Sequence, residues 1–557
     1  MDIRKLEHSL LVSFCTLIIL PILYICRAAD NNTFTSWRWV FSQTGILQVF
    51  FSLIPALLCA YAISRIQFSG RRAGVFLFLL SFASIIPLWQ EPESIIDASR
   101  YFVQAKSLKE YGIRYFLEQW GNAIPAWTDM PLVPFLYGLI FAGLGESRLS
   151  IQLFNTILFA LTTLLTFLIG KKLWDEETGL HAGLLLLGMP YLLTQVPLML
   201  VDVPAMFFLT LSIYAFMHAV EKGGLPWAVL ASLTLCTAMF SKYSTWMMLS
   251  VIPVIAAVLA REKREKIFNR IFPVILMTGL LTGVVILLRY GLIRDQIMIL
   301  RTYQWSGLSR WQEGFLSTFL FQTHPFVTIL ALCGIYRAVR KKNIRFLIAA
   351  WFAVLVLFLQ IKRIRYIIPL FPLFGLMAAY GLQLIKDNGS KRFISLCIAA
   401  TSLVIAYSAY LPFLKTTGMA NLIHAGQYLN TLNCDPVEVY ALSQKSSSGS
   451  TFAAIPILDY HTDRKIVSLQ EWPGHPQDGT TQKSSLRFTW ETEKPDLYSQ
   501  IAADKSCAVV VISSDVLDRI PHELIVIRPR PLRELKRFDL SSEVFKYQTH
   551  VTVYEKE

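Results

Sequence analysis

The chain has 557 residues, of which 54% are hydrophobic and only 16% charged, with a formal net charge of +14. Soluble globular proteins carry roughly 25% charged residues, so this composition excludes a water-soluble core and makes a polytopic membrane protein the expected class. The basic residues cluster between apolar segments, which argues against nucleic acid as the partner of the positive charge.

A membrane span needs roughly 20 apolar residues. Candidate spans fall at about 9–26, 43–64, 73–89, 149–170, 178–196, 203–220, 225–240, 244–260, 271–288, 316–336, 345–361, 366–385 and 393–413, about thirteen transmembrane helices. The first follows Arg4 and Lys5 without a small-residue cleavage site and is expected to be a retained anchor. Cytoplasmic loops are enriched in Lys and Arg. With the N-terminus cytoplasmic, every strongly basic short loop falls on one side: Arg65, Arg71 and Arg72; Lys171 and Lys172; Arg261, Lys263, Arg264, Lys266 and Arg270; Arg337, Arg340, Lys341, Lys342 and Arg345; Lys386, Lys391 and Arg392.

Counting the apolar stretch 131–144 as a crossing would break that rule. It is expected to be an amphipathic helix in the outer interface, with Trp120, Trp127 and Tyr137 at headgroup level. Residues 90–148 then form one long outer loop within a membrane domain of residues 1–413. From 414 to 557 charge rises and Gly, Ser and Pro appear. Ala420–Leu432 reads as a helix and 437–442, 507–514 and 550–554 as strands, giving a C-terminal soluble α/β domain that parity places outside. Six of the eight cysteines lie in apolar segments; Cys434 and Cys507 lie in the tail and pair if that compartment is oxidising, which their spacing does not decide.

The chemistry-bearing residues gather on the outer side. Past the third span come Glu91, Glu93, Asp97, Arg100 and Tyr101. Asp202 opens the sixth span, Lys242 sits between two spans too close for a real loop, and Lys362, Arg363, Arg365 and Tyr366 precede another. Arg289, Arg294, Arg301 and Arg310 dot the loop 289–315. Cations on the side that the charge rule disfavours call for an anionic partner, and Arg and Lys at a membrane surface suit phosphate. A carboxylate accepts a proton from a nucleophile, and cations stabilise a departing phosphate. The combination points to group transfer from a lipid phosphate. Each residue also has a plainer reading: Asp202 as a helix cap, Glu91 and Glu93 as solvated loop charges, Lys362 and Arg363 as headgroup contacts.

Taken together, residues 90–385 resemble the C-type superfamily of membrane glycosyltransferases, which includes protein O-mannosyltransferases and lipid A aminoarabinose transferases. The resemblance rests on Asp97-Ala-Ser-Arg-Tyr101 with Lys109-Glu-Tyr-Gly112, on Asp129-Met-Pro-Leu132, Leu144-Gly-Glu-Ser-Arg148 and Gly170-Lys-Lys172, and on Val201-Asp-Val-Pro204, Ser241-Lys-Tyr243 and Arg365-Tyr-Ile-Ile-Pro-Leu-Phe-Pro372. The chain departs from the family at Ala98, where many relatives carry Glu, and at Ser241-Lys-Tyr243, which replaces Thr-Lys-Gly. The resemblance implies a polyprenyl-phosphate-linked sugar donor, inversion at the anomeric carbon, and a lipid, glycan or protein acceptor on the outer face. By it Asp97 is the general base, Lys242 and Arg365 hold the donor phosphate with Lys362 and Tyr366 beside them, Asp202 supports the site, and Glu93, Arg100 and Tyr101 support the outer loop. No tightly bound metal is expected; Mg²⁺ or Mn²⁺, if used, would take carboxylate oxygens. The expected location is the plasma (inner) membrane, surrounded by membrane lipids. The alternative class, a transporter or lipid flippase, is disfavoured because no internal repeat is evident and the ionisable residues hug one face.

Overall fold

A computed structural model describes residues 3–126, 128–261, 264–301, 313–442, 451–472, 494–499, 506–517, 532–541 and 548–556. Trp127, Lys263 and Arg310 lie outside them. Eight described helices are long and apolar enough to cross a membrane: Glu7–Ala29, Ile46–Ser64, Arg71–Gln90, Arg148–Leu173, Asp202–Lys222, Ile267–Leu288, Ile364–Leu382 and Asn388–Lys415. Shorter helices, among them Leu225–Ser241, Thr245–Ala260, Pro325–Lys341 and Phe346–Phe358, pack into the same bundle. The candidate span 178–196 is two helices, Glu176–Leu186 and Pro190–Gln195, interrupted around Gly188. Both are buried in protein, so irregular backbone at that point never meets lipid.

Two helices orient the bundle. Arg148–Leu173 begins beside Glu93 and ends on Lys171 and Lys172, while Asp202–Lys222 begins on Asp202 and ends on Lys222. Their basic ends converge with other basic loops. Lys172 pairs with Glu221, Lys391 with Glu177 at 3.1 Å, and Arg270 donates to the carbonyl of Val220 at 3.0 Å. The acidic loop and the cations of the candidate site therefore stand at the opposite end of the same helices.

The acidic loop is built on a long helix, Ile95–Gln119, bent at Gly112, whose φ of +86° suits a residue without a Cβ. The helix Leu132–Leu144 packs across it so closely that a Cβ on Gly138 would lie 2.7 Å from Cβ of Leu108. This packing corrects one expectation. Tyr137 and Trp120 are not at a lipid interface but buried in protein: the Tyr137 hydroxyl donates to the Leu200 carbonyl at 2.7 Å, and Trp120 sits in a small core with Phe116 and Ile124.

Beyond the bundle lies a five-stranded mixed sheet. Its strands are β1 (Val437–Leu442), β2 (Ile466–Val467), β3 (Ala508–Ser513), β4 (Leu532–Phe538) and β5 (His550–Lys556), in the order β2-β1-β3-β5-β4. β1 pairs in parallel with β2 and β3, and β5 pairs antiparallel with β3 and β4. β1 and β3 are buried along almost their whole length, which accounts for the apolar run of β3, while the one charge in β1, Glu438, is buried against Lys556 at 2.9 Å. The edge strand β4 carries Arg533, Glu534, Lys536 and Arg537, charges that discourage edge-to-edge pairing. Cys434 and Cys507 form a disulfide joining the starts of β1 and β3. Helices Ala420–Thr431 and Ala454–Tyr460 pack against the sheet.

Candidate active site

Four separate elements deliver the charged residues of the site. Asp97 occupies the first turn of Ile95–Gln119, where the positive end of the helix dipole favours a carboxylate. Asp202 opens Asp202–Lys222, yet its side chain caps no backbone N–H of that helix. Lys242 stands in extended backbone (ψ 137°) just past Leu225–Ser241, and the break is tied by the Thr245 hydroxyl donating to the carbonyls of Ala238 and Lys242 at 2.6 and 2.7 Å. Arg365 lies in the single turn Ile364–Ile367. Pro369 and Pro372 follow within the same span, Ile364–Leu382, where their missing N–H donors accompany a tightened turn at Ile368–Leu370 ahead of Phe371–Leu382.

These residues converge. The Arg365 guanidinium bridges the two aspartates, donating from Nη1 to Asp97 and from Nε to Oδ2 of Asp202 at 3.1 Å. Lys242 Nζ lies 2.5 Å from Oδ1 of Asp202, which is fully buried, and 5.8 Å from the centre of the Tyr366 ring. On the other side of Asp97, Arg100 Nη2 stands 3.2 Å from Oδ1 and also grips Asp129 through Nε (3.0 Å) and Nη2 (3.2 Å). Gln104 donates to Asp129 Oδ2 at 3.2 Å. The chain of charges thus runs Lys242–Asp202–Arg365–Asp97–Arg100–Asp129. Burial disfavours the Asp97 anion, but Arg365 and then Arg100 outweigh it and hold the carboxyl well below the ordinary carboxylate range. Tyr101 is pushed the other way, by burial and by the nearby Asp129 and Asp97, and stays a neutral phenol.

The remaining sequence candidates divide. Glu93 does not reach the cluster: its side chain is fully buried, pairs with Arg148 at 2.9 Å and accepts from the Met199 N–H at 2.9 Å. It braces the acidic loop against the start of Arg148–Leu173 and the segment that precedes Asp202. Glu91 is buried next to it, and burial, then the neighbouring Glu93 charge, raises its carboxyl well above the usual range. Glu93→Gln is expected to lower Tm by several degrees, through loss of a buried ion-pair partner, with little change in turnover per folded molecule; a melting curve and an assay on the same preparation check this. Lys362 is exposed, and its carbonyl accepts from Thr318 at 2.6 Å. The buried cation of that run is Arg363, which stacks over Phe34 and Tyr366 at 5.4 and 5.3 Å and stands 3.7 Å from Glu313. Asp129 belongs to the charge chain although its sequence motif carried no catalytic or binding role, and Arg363, expected to meet an anion or a headgroup, stands beside the chain against Tyr366. The Asp129-Met-Pro motif and the density of Arg363, Arg365 and Tyr366 were the available signals. Among the described residues, no group of three or more His, Cys, Asp or Glu could hold a metal ion.

A helical membrane bundle, a two-helix loop platform, a largely buried Asp–Arg–Asp–Lys chain at one end and an appended mixed sheet define a polytopic membrane protein of the C-type glycosyltransferase fold. Residues 128–289 match the family model for dolichyl-phosphate-mannose-protein mannosyltransferases. The fold is similar to that of ArnT from Cupriavidus metallidurans, solved bound to undecaprenyl phosphate and in the apo state. Both comparisons give a TM-score of 0.51 and 12% identity, covering 86% of this chain and 97% of that one. The archaeal oligosaccharyltransferase AglB from Archaeoglobus fulgidus, in complex with an inhibitory peptide and a dolichol-phosphate, aligns at a TM-score of 0.44 and 10% identity over 79% of this chain and 69% of that one. No curated protein gives a significant sequence match.

Proposed function

We propose that this chain transfers a sugar from a polyprenyl-phosphate donor to an acceptor on the extracytoplasmic face of the membrane, with inversion at the anomeric carbon. The observation that carries this reading is the convergence of Arg365 and Lys242 on Asp202 and of Arg365 on Asp97. A buried lysine and a largely buried arginine whose ion pairs, among the described residues, run to carboxylates suit an anion that enters from the lipid with its phosphate at the interface. ArnT, which shares the fold, was solved with undecaprenyl phosphate, and the family model over 128–289 describes enzymes that use a lipid-phosphate sugar. The Cys434–Cys507 disulfide and the basic ends opposite the site support an extracytoplasmic orientation of the sheet and the cluster.

In this reading the donor phosphate takes Arg365 and Lys242 as partners. Asp97, relieved of one cation, becomes a stronger base. It accepts a proton from the acceptor hydroxyl or amine as that group attacks the anomeric carbon. The bond from the anomeric carbon to the phosphate oxygen breaks, its electrons leave with the polyprenyl phosphate, and Lys242 and Arg365 stabilise that charge. Because two fixed cations neutralise the leaving group and Asp97 and Asp202 are already engaged, activity is expected to persist in EDTA at the level seen with Mg²⁺. A chelator titration of the purified protein checks this, and abolition of turnover that Mg²⁺ or Mn²⁺ restores would refute it.

The primary test follows release of free polyprenyl phosphate by the purified chain from a panel of labelled polyprenyl-phosphate sugars, with membrane extract as acceptor. Release by the wild type and not by Asp97→Asn is the expected result. No release from any donor, with substrate counterflow in liposomes, would replace transfer by transport.

A further inference from the structure

The helix that carries Asp97 has two functional faces. Asp97, Arg100 and Gln104, spaced by three and four residues, share the face turned to Arg365 and Asp129. Phe102, Lys106 and Lys109, at the same spacing, fall on the opposite face at about 3.6 residues per turn. That second face meets the C-terminal sheet domain. Lys106 Nζ lies 2.7 Å from Oδ2 of Asp459, on the helix Ala454–Tyr460, and 3.1 Å from Oε1 of Glu146. Lys109 holds the other oxygen of Glu146 at 2.8 Å, and the Tyr498 hydroxyl donates to Asp459 at 2.9 Å. The Asp459 side chain is only 2% exposed. Beside this relay the Phe102 ring packs on Tyr460 with centroids 5.1 Å apart, and Ile95, Ala98, Phe102 and Ala105 share one apolar core with Ile455, Leu458, Val437 and Val510.

Apolar contact alone would join the two parts. A buried ion relay adds little net stability, since desolvation offsets its attraction, but it fixes one rotation and one register of the helix. We infer that the C-terminal domain is a positioning element of the active site, and that Asp459, acting through Lys106, is the positioning residue that sets where Asp97 and Arg100 stand. This rests on the glycosyltransferase reading for its kinetic consequence but not for its structural one. A misplacement of about 1 Å at a reacting group costs on the order of 10²-fold in rate.

The test uses the full-length purified chain and three variants, Asp459→Asn, Lys106→Met and Lys106→Arg. Two quantities are read: kinetics of polyprenyl-phosphate release, and hydrogen exchange of the amides of residues 95–108. Asp459→Asn and Lys106→Met should lower kcat by roughly 10- to 100-fold with little change in KM for the donor, because Lys242 and Arg365 stand on other elements. Exchange at 95–108 should rise in both, while Lys106→Arg, which keeps a cation between the two carboxylates, should retain most of the wild-type kcat. Unchanged kcat and unchanged exchange in the folded variants would overturn the inference, as would a fall in kcat that Lys106→Arg fails to recover. If Asp459→Asn does not fold, Tyr498→Phe, which deletes only the hydroxyl on Asp459, carries the same readouts with a several-fold effect. Were the wild type inactive on every donor, the function proposed above would fall, while hydrogen exchange would still decide whether the relay grips the helix.

Discussion

Asp97→Asn is expected to lower kcat for polyprenyl-phosphate release by about 10²–10⁴-fold, the range associated with a lost general base. The substitution keeps size and leaves the two flanking guanidiniums with other anions: Arg365 retains Asp202, and Arg100 retains Asp129. No buried cation is stranded, so the variant should fold and melt near the wild type. Donor binding should hold or tighten, because Arg365 then has one carboxylate fewer competing with the phosphate. The signature is therefore a large fall in kcat with an equal or lower KM for the donor, measured at saturating acceptor. In the donor-free protein Arg365 and Arg100 hold the Asp97 carboxyl well below the usual range, burial notwithstanding, so it is ionised throughout neutral pH. Pairing with Arg365 weakens its basicity, so in the proposed mechanism proton abstraction would follow arrival of the phosphate. Full turnover by Asp97→Asn would remove Asp97 as the base.

The sequence made the membrane class legible because hydropathy and basic-loop asymmetry are summed over hundreds of residues and survive local errors. It also marked Asp97, Asp202, Lys242 and Arg365, since ionisable groups at span ends are costly unless used. What it did not carry was partnership. Glu93 and Asp97 are four residues apart and look alike in sequence, yet Glu93 faces Arg148 and the Met199 backbone while Asp97 faces Arg365. Likewise Lys362 and Arg363 are neighbours, and the half-turn between them decides that one is exposed and the other buried over Phe34 and Tyr366. Tyr137 carried an interfacial signal by residue type, but the close approach at Gly138 put it inside the protein. The strand β3 announced itself as a β-branched apolar run, and β1 and β5 as weaker strand patterns broken by polar residues. The short β2 and the charged β4 did not, because two residues show no period and the exposed edge β4 is charged rather than apolar.

Arg365→Lys, nominally conservative, is expected to lower kcat/KM by about 10²–10³-fold, the cost of removing a donor aimed at developing charge. Arg365 meets Asp97 and Asp202 through different nitrogens of one planar fork. A lysine ammonium is a single point at the end of a flexible stem and cannot hold both carboxylates and a phosphate in that plane. It does keep the charge, so neither aspartate is left without a cation and the Tm should move little. Arg365→Met separates the two contributions. There Asp97 falls back on Arg100, and the fully buried Asp202 on Lys242 alone. Breaking a buried ion pair costs about 3–5 kcal/mol, so this variant should lose stability as well as activity. If Arg365 served only to neutralise the aspartates, Arg365→Lys would keep most of the wild-type kcat/KM and only Arg365→Met would fail. If it also holds the leaving phosphate, both fail in activity while only Arg365→Met fails in the melting curve. The second outcome is the one expected, because the two bonds of Arg365 run to carboxylates on different helices through one planar fork that a single ammonium does not reproduce.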